Sequence, residues 1–392
     1  MSQTAASHHA TALLVLLSLP PCLTAQEQLR RDVGSDVLID DALRKAVSRG
    51  LEHLASTQHR DGYWSQLVGY KLNTDYETLD DKPLPHVGVT ALALMSFLAG
   101  GHLPDRGKYG RTLDKAITFL LGQVNDQGFI TAHHTRMYDH AFGTLFLAEV
   151  FGQTNRGDVR AKLQQAVDLI VSSQNAKGSW RYEPFALESD MSITVCQLMA
   201  LRAARNVGIK VSKDTITSAV KYVLDSQVHD ESPPWMQGPD DYYMMGRGAF
   251  KYQYQEEGDM SRSSFALTAA GITSLYHAAQ YDTKTLKDSL AFLEESMERV
   301  SRPPWRCHFF YWYGHYYAVQ AMFITGNQDG GHPYWKRYWQ HVSGELLEQG
   351  GDYGQASDGS WPNPYGPGAN FATAVALIVL QTPYRYLPIL QR

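Results

Sequence analysis

A short phrase recurs along the chain at the pitch of a helical hairpin: a helix ending in Gln, a few polar residues, then Gly followed closely by an aromatic. The copies are Gln58-His-Arg-Asp-Gly62-Tyr-Trp64, Gln123 to Gly128-Phe129, Gln174-Asn-Ala-Lys-Gly178-Ser-Trp180 and Gln349 to Gly359-Ser-Trp361. The steps are 65 and 51 residues, a further Gln227 follows 53 later, and the remaining 122 is two steps of 61 with one Gln lost. Such a period is too long for one helix and suits two helices with loops, which is the signature of a helical-hairpin array. In each copy the Gln is expected to bond the open carbonyls of its own helix end. The Gly takes a left-handed turn and the aromatic covers the junction to the next hairpin.

Two kinds of helix alternate. Amphipathic stretches run over 37–57, 109–121, 159–173, 213–226, 285–297 and 334–347, with apolar residues three and four apart and charges between them. Nearly uniform apolar stretches run over 87–100, 141–152, 191–207, 264–279, 316–326 and 371–381 and must be enclosed on all sides. They are also too short to span a bilayer. Six outer helices alternating with six inner ones predict an all-α (α/α)6 toroid over residues 37–392, with an inner ring around a central cavity. An open solenoid is the competing arrangement. It needs polar capping repeats, whereas the last stretch, Phe371-Ala-Thr-Ala-Val-Ala-Leu-Ile-Val-Leu, is the most apolar of all.

The chain has 392 residues, 44% hydrophobic and 19% charged, which suits a packed domain rather than disorder. A net charge of −5 without a long basic run excludes nucleic acid and anionic membrane surfaces as expected partners. The apolar run Ala10 to Leu19, followed by Pro20-Pro21 and Cys22-Leu-Thr-Ala25, reads as a signal peptide over residues 1–25, hence an exported protein; a merely apolar N-terminus is the plainer alternative. Beyond it stand two cysteines, Cys196 and Cys307, whose pairing the sequence leaves open.

The repeat and the closing stretch from Asp358 through Trp361 to Ile389 resemble the prenyltransferase and squalene oxidase repeat family, which includes squalene-hopene cyclases. The resemblance implies a toroid whose apolar cavity holds an isoprenoid, with reactive groups at the N-terminal ends of inner helices. Its cyclases carry Asp-x-Asp-Asp, in which the middle Asp protonates an alkene. Here the nearest string is Glu188-Ser189-Asp190-Met191, with Met in the fourth place. The Asp-x-Cys zinc pair of protein prenyltransferases is missing, as is Asp-Asp-x-x-Asp, so neither metal nor cofactor is expected.

In a toroid the residues before the inner helices converge on one rim. These are His86, Tyr138-Asp139-His140, Glu188 and Asp190, Arg262, Tyr313 to Tyr317, and Asn370. Asp190 is the candidate proton donor, tuned by Glu188, with Tyr138, Asp139 and His140 opposite. His86, Arg262, Tyr311, His315, Tyr316 and Tyr317 are the candidate ligand-binding residues. Plainer roles compete: Asp139, Asp190 and Asn370 as helix caps, His140 and His315 as bonded core histidines, and Arg262 as the partner of nearby acids. The aromatic stretches Trp235 to Tyr254 and Trp305 to Tyr317 suit cation stabilisation, sugar stacking or plain packing. The leading expectation is a toroid binding an apolar, isoprenoid-type ligand, with or without acid-initiated cyclisation or isomerisation. The alternatives are a non-catalytic binding scaffold and a polysaccharide hydrolase or lyase, the hydrolase requiring two facing carboxylates.

Overall fold

A computed structural model describes residues 39–72, 75–229, 235–236, 244–254, 263–279, 283–326, 334–348, 353–364 and 366–390. The expected leader, Arg262, Gln349 and most of the 228–260 connection lie outside the described residues. Twelve α-helices carry the fold: α1 Asp41–Thr57, α2 Val87–Ala99, α3 Gly110–Gly122, α4 Met137–Phe151, α5 Asp158–Ser172, α6 Met191–Asn206, α7 Lys213–Asp225, α8 Phe265–His277, α9 Thr283–Val300, α10 Phe309–Gly326, α11 Tyr334–Leu346 and α12 Ala369–Gln381. Odd-numbered helices bury one stripe, as in α1 with Leu43, Val47, Leu51 and Leu54, while all thirteen residues of α2 are buried. Each even-numbered helix packs on the next, and α12 returns to α2, so the inner ring is closed. The architecture is an all-α toroid, and the solenoid alternative falls with that closure. No described helix is long and apolar enough to cross a membrane.

Most helix ends agree with the sequence expectation to within a few residues. The exceptions are α1, which starts at Asp41 rather than 37, α4, which starts at Met137 rather than 141, and α10, which starts at Phe309 rather than 316. Aromatic and histidine residues near the starts of α4 and α10 disguise their first turns as loop. Among the described residues six short strands pair as three ribbons: β1 Ser65–Gln66 with β4 Leu84–Pro85, β5 Trp235–Met236 with β6 Met244–Met245, and β2 Gly69–Leu72 with β3 Asp75–Thr78, the last a hairpin with Gly69 opposite Thr78.

The recurring phrase does more than end helices. Gln58 Nε2 donates to Gly62 O at 3.0 Å and to Thr112 O of the next outer helix at 2.9 Å. Gln174 does the same to Gly178 O and Thr215 O, also at 3.0 and 2.9 Å. In the last copy the residue in this role is Gln355, which donates to Gly359 O at 3.0 Å and to Ala46 O of α1 at 2.8 Å, so the same staple seals the ring. The expectation of bonds to the helix's own end is met at Gln123 alone among these four, where Nε2 reaches Phe119 O at 3.4 Å; an extra residue there puts it out of register with Gly128. A fifth copy, Gly248-Ala-Phe250, follows Gln227 after an insertion, and Gln227 still reaches Thr285 O at 3.0 Å. Trp64, Trp180 and Trp361 are buried, and each indole N–H bonds a carbonyl of the preceding outer helix at 2.8 to 3.0 Å.

The staple is testable by itself. Gln174→Ala leaves two carbonyls without their donor and is expected to cost roughly 1–3 kcal/mol, whereas Gln123→Ala costs under about 0.5 kcal/mol. Urea midpoints of the two variants check this, and equal losses would remove the staple's special role.

Candidate active site

The inner helices start at one rim; Asp190 and Ser264 accept backbone N–H groups there at the starts of α6 and α8, whereas Arg136 and Gly368 give α4 and α12 no side-chain cap. His86, Arg136, Asp190 and Ser264 occupy the cap position of α2, α4, α6 and α8. Four residues further on, Thr90, Thr194 and Thr268 each accept the backbone N–H of the loop aromatic, from Trp64, Trp180 and Phe250. His140 fills that same slot in α4: its Nδ1 accepts from Ile130 N at 3.1 Å, its ring packs on Phe129, and burial lowers its pKa to about 3. It is therefore a neutral core residue facing a loop, and the expected catalytic role does not fit its position.

Asp139 is not a cap but the third residue of α4. One oxygen accepts from Gly88 N at 2.7 Å and lies 2.9 Å from His86 Nδ1; the other accepts from Arg136 N at 3.3 Å. The carboxylate thus ties the starts of α2 and α4 together. Val89 N lies 3.4 Å from the same His86 nitrogen, and the shorter contact to Asp139 places the ring proton there. Asn370 is the second residue of α12, and its Oδ1 accepts from Thr57 Oγ1 of α1. Tyr311 and His315 turn outward to α11, where Tyr311 bonds Glu345 at 2.9 Å and His315 Nδ1 lies 3.0 Å from Tyr338 Oη. Glu188 is exposed, so it does not flank Asp190.

Asp190 is the cap of α6 and is fully buried. Its Oδ1 accepts three bonds, from Ser192 N at 2.8 Å, Ser192 Oγ at 2.5 Å and Ile193 N at 3.2 Å. Its Oδ2 has no donor among the described residues. Ser192 Oγ in turn accepts from Tyr138 Oη at 2.5 Å, forming a Tyr–Ser–Asp relay. Tyr182 and Tyr252 share a 2.5 Å hydrogen bond beside it, and burial together with the Asp190 charge raises both phenols, Tyr182 to about 12. Across the ring, Tyr313 Oη donates to Ser192 O at 3.2 Å. Tyr138, Tyr182, Tyr252 and Tyr313 keep some accessible surface, and burial raises their phenols.

Side chains cross the centre of the ring. Adjacent helix axes lie roughly 9 Å apart, so opposite members of a six-helix ring are about 18 Å apart. Subtracting a helix diameter of about 10 Å leaves a gap that one or two rings can fill. Phe142 of α4 meets Tyr316 of α10 edge to face at 5.5 Å, and Tyr317 Oη lies 2.9 Å from Cys196 Sγ of α6. Side chains thus bridge the centre of the ring, where the sequence predicts an apolar hole. Cys196 and Cys307 are both buried and unpaired, and burial pushes each thiol up to about 12. Over the rim, Tyr70 of β2 stacks on Arg136 at the start of α4 while Tyr76 of β3 touches Phe309 of α10, so the β2–β3 hairpin arches from one side to the other.

Tyr182 and Tyr252 had a legible signal. Each stands two residues after the loop aromatic, and their carbonyls accept the first N–H groups of α4 and α6.

No protein-family model matches the chain, and no curated protein matches it. Solved structures do. The GH76A α-1,6-mannanase from Salegentibacter sp. HEL1_6 is similar at a TM-score of 0.61 and 10% identity, over 88% of this chain and 99% of that one. A GH76 α-mannanase of Bacteroides thetaiotaomicron aligns at 0.56 and 11%, over 93% and 100%. Type II terpene cyclase MstE from Scytonema aligns at 0.55 and 13%, over 88% and 99%. The cyclase is also known with geranylgeranyl dihydroxybenzoate bound, and the Salegentibacter mannanase with α-1,6-mannotriose. At these identities the likeness is one of fold, and that fold serves two unrelated chemistries.

Proposed function

We propose that the rim chamber holds the unsaturated end of a neutral isoprenoid-type molecule, and that Asp190 is the acid that protonates it to start cyclisation or isomerisation. The observation that carries this is the asymmetry of one buried carboxyl group. Three donors from the start of α6 load Oδ1, so a proton carried by the group sits on Oδ2, the oxygen left without a donor. Tyr138, Tyr182, Tyr252 and Tyr313 stay neutral around it and offer π faces that stabilise a developing carbocation. The Phe142–Tyr316 floor limits depth, so a chain end enters rather than a whole polyisoprenoid.

A two-carboxylate glycan hydrolase is supported equally by the fold, and what speaks for the acid-initiated reading is that Asp139 has both oxygens committed to helix starts and His86. A purely binding toroid predicts the same chamber without turnover. Incubation with acyclic C10 to C20 prenols, read by mass spectrometry and chromatography, separates the readings. The proposal expects a product of equal mass and altered retention. Asp190→Asn is expected to lower its formation at least 10³-fold while retaining binding. Unchanged turnover in that variant ends the donor role, and binding without turnover in either protein supports the scaffold reading.

A further inference from the structure

The far end of the ring is occupied by the chain's own C-terminal segment. After α12 the chain makes a short turn, Thr382–Tyr384, and Arg385 takes a left-handed conformation at φ 58° that redirects it across the ring. Gln381 Nε2 bonds Ser96 O near the end of α2 at 2.9 Å, and the Tyr386 ring covers Gly101 just beyond that helix. The Arg385 guanidinium lies 5.2 Å over the Phe323 ring near the end of α10. Ile389 N then donates to Glu149 Oε2 in the last turn of α4 at 3.0 Å. The segment therefore touches the C-terminal ends of α2, α10 and α4 after leaving α12, and α4 and α10 are opposite members of the ring. Leu387, Ile389 and Leu390 are buried along this path.

Glu149 is a buried carboxyl in the apolar last two turns of α4, and the proton-donor argument makes no use of it. It interacts electrostatically with Tyr316, whose hydroxyl is buried without a hydrogen-bond partner among the described residues. Tyr316 is also half of the aromatic bridge that floors the rim chamber. One carboxyl group thus bonds the strap and carries a charge that Tyr316 feels.

We propose that residues 385–390 are a detachable strap closing the second opening of the toroid, latched by Glu149, and that its release opens a route to the underside of the Phe142–Tyr316 floor. This stands apart from the role given to Asp190. Hydrogen–deuterium exchange on the full chain tests it. The strap peptide is expected to exchange at least tenfold faster than the α12 peptide, because it opens without the ring unfolding. Glu149→Ala is expected to raise strap exchange a further tenfold and leave α12 unchanged, with more binding of an anilinonaphthalene sulfonate dye and an intact near-ultraviolet spectrum. Strap and α12 exchanging together in the unaltered protein would overturn the proposal, whether or not the variant folds. So would strap exchange that is indifferent to Glu149→Ala.

Discussion

Gly359→Ala is expected to destabilise the toroid by about 2–5 kcal/mol and to weaken ring closure. Gly359 sits at φ +92°, and a Cβ there would lie 2.5 Å from Arg49 O in α1. The left-handed conformation costs a non-glycine residue roughly 1–2 kcal/mol, and driving a methyl group into a backbone carbonyl adds an overpacking term of about 1–3 kcal/mol. The same close approach recurs at Gly62, Gly128, Gly178 and Gly248, each on a backbone carbonyl of the next outer helix. Position 359 differs in joining the last hairpin to the first. Gly208 provides the control: it has φ +80° with open space around its would-be Cβ, so Gly208→Ala incurs the conformational cost alone, about 1 kcal/mol. Urea denaturation of the two variants measures the difference, and similar losses would show that close packing at the seam is unimportant.

The protein is expected to unfold cooperatively in acid between pH 6.5 and about pH 4. Burial lowers His140 and His315 to about 3 and His277 to about 4. For a base depressed on folding, the stabilisation is complete above the unfolded value near 6.5 and is lost as pH falls towards the folded one. At about 1.4 kcal/mol per unit, each site withdraws on the order of 3–5 kcal/mol if the ring holds, and together they rival a typical domain stability of about 5–15 kcal/mol. Glu149 acts in the opposite direction. Burial raises it to about 8, so its contribution is complete below about 4.5 and is lost as pH rises through 8. One opposing group does not offset three. Because Thr holds the equivalent slot in other repeats, His140→Thr is expected to keep the loop hydrogen bond and move the acid midpoint down by about half a pH unit. Circular dichroism across pH 3–8 checks this, and an unmoved midpoint would exonerate His140.

The rim residues show where sequence reading stops. His140 and Asp139 are neighbours in the chain, yet one faces a loop in the core and the other ties two helix starts together. Reading α4 from residue 137 instead of 141 would have put His140 in the threonine slot of Thr90, Thr194 and Thr268, a signal the repeat contains. For Tyr311 and His315 the missing element was the first turn of α10. Once included, they lie one helical turn apart on a face that meets α11, while Tyr313, Tyr316 and Tyr317 turn towards the centre. Gln349 was a reasonable choice for the last staple, but the four-residue step from Gln to Gly, shared by Gln58 and Gln174, selects Gln355. Glu149 gave no signal beyond being an acid in an apolar helix, because its strap partner lies 240 residues away.

Sequence by itself determined the alternation of amphipathic and apolar helices, their number, and the glycine and tryptophan positions that join them, since burial periodicity and left-handed turns are properties of neighbouring residues. Only the tertiary structure decided which side of the ring each rim residue faces, how aromatic side chains bridge the centre, and that among the described residues Asp190 rather than Asp139 keeps an oxygen without a donor. Those outcomes depend on the rotation of each helix about its axis and on groups far away in the chain, and both are fixed when the ring closes.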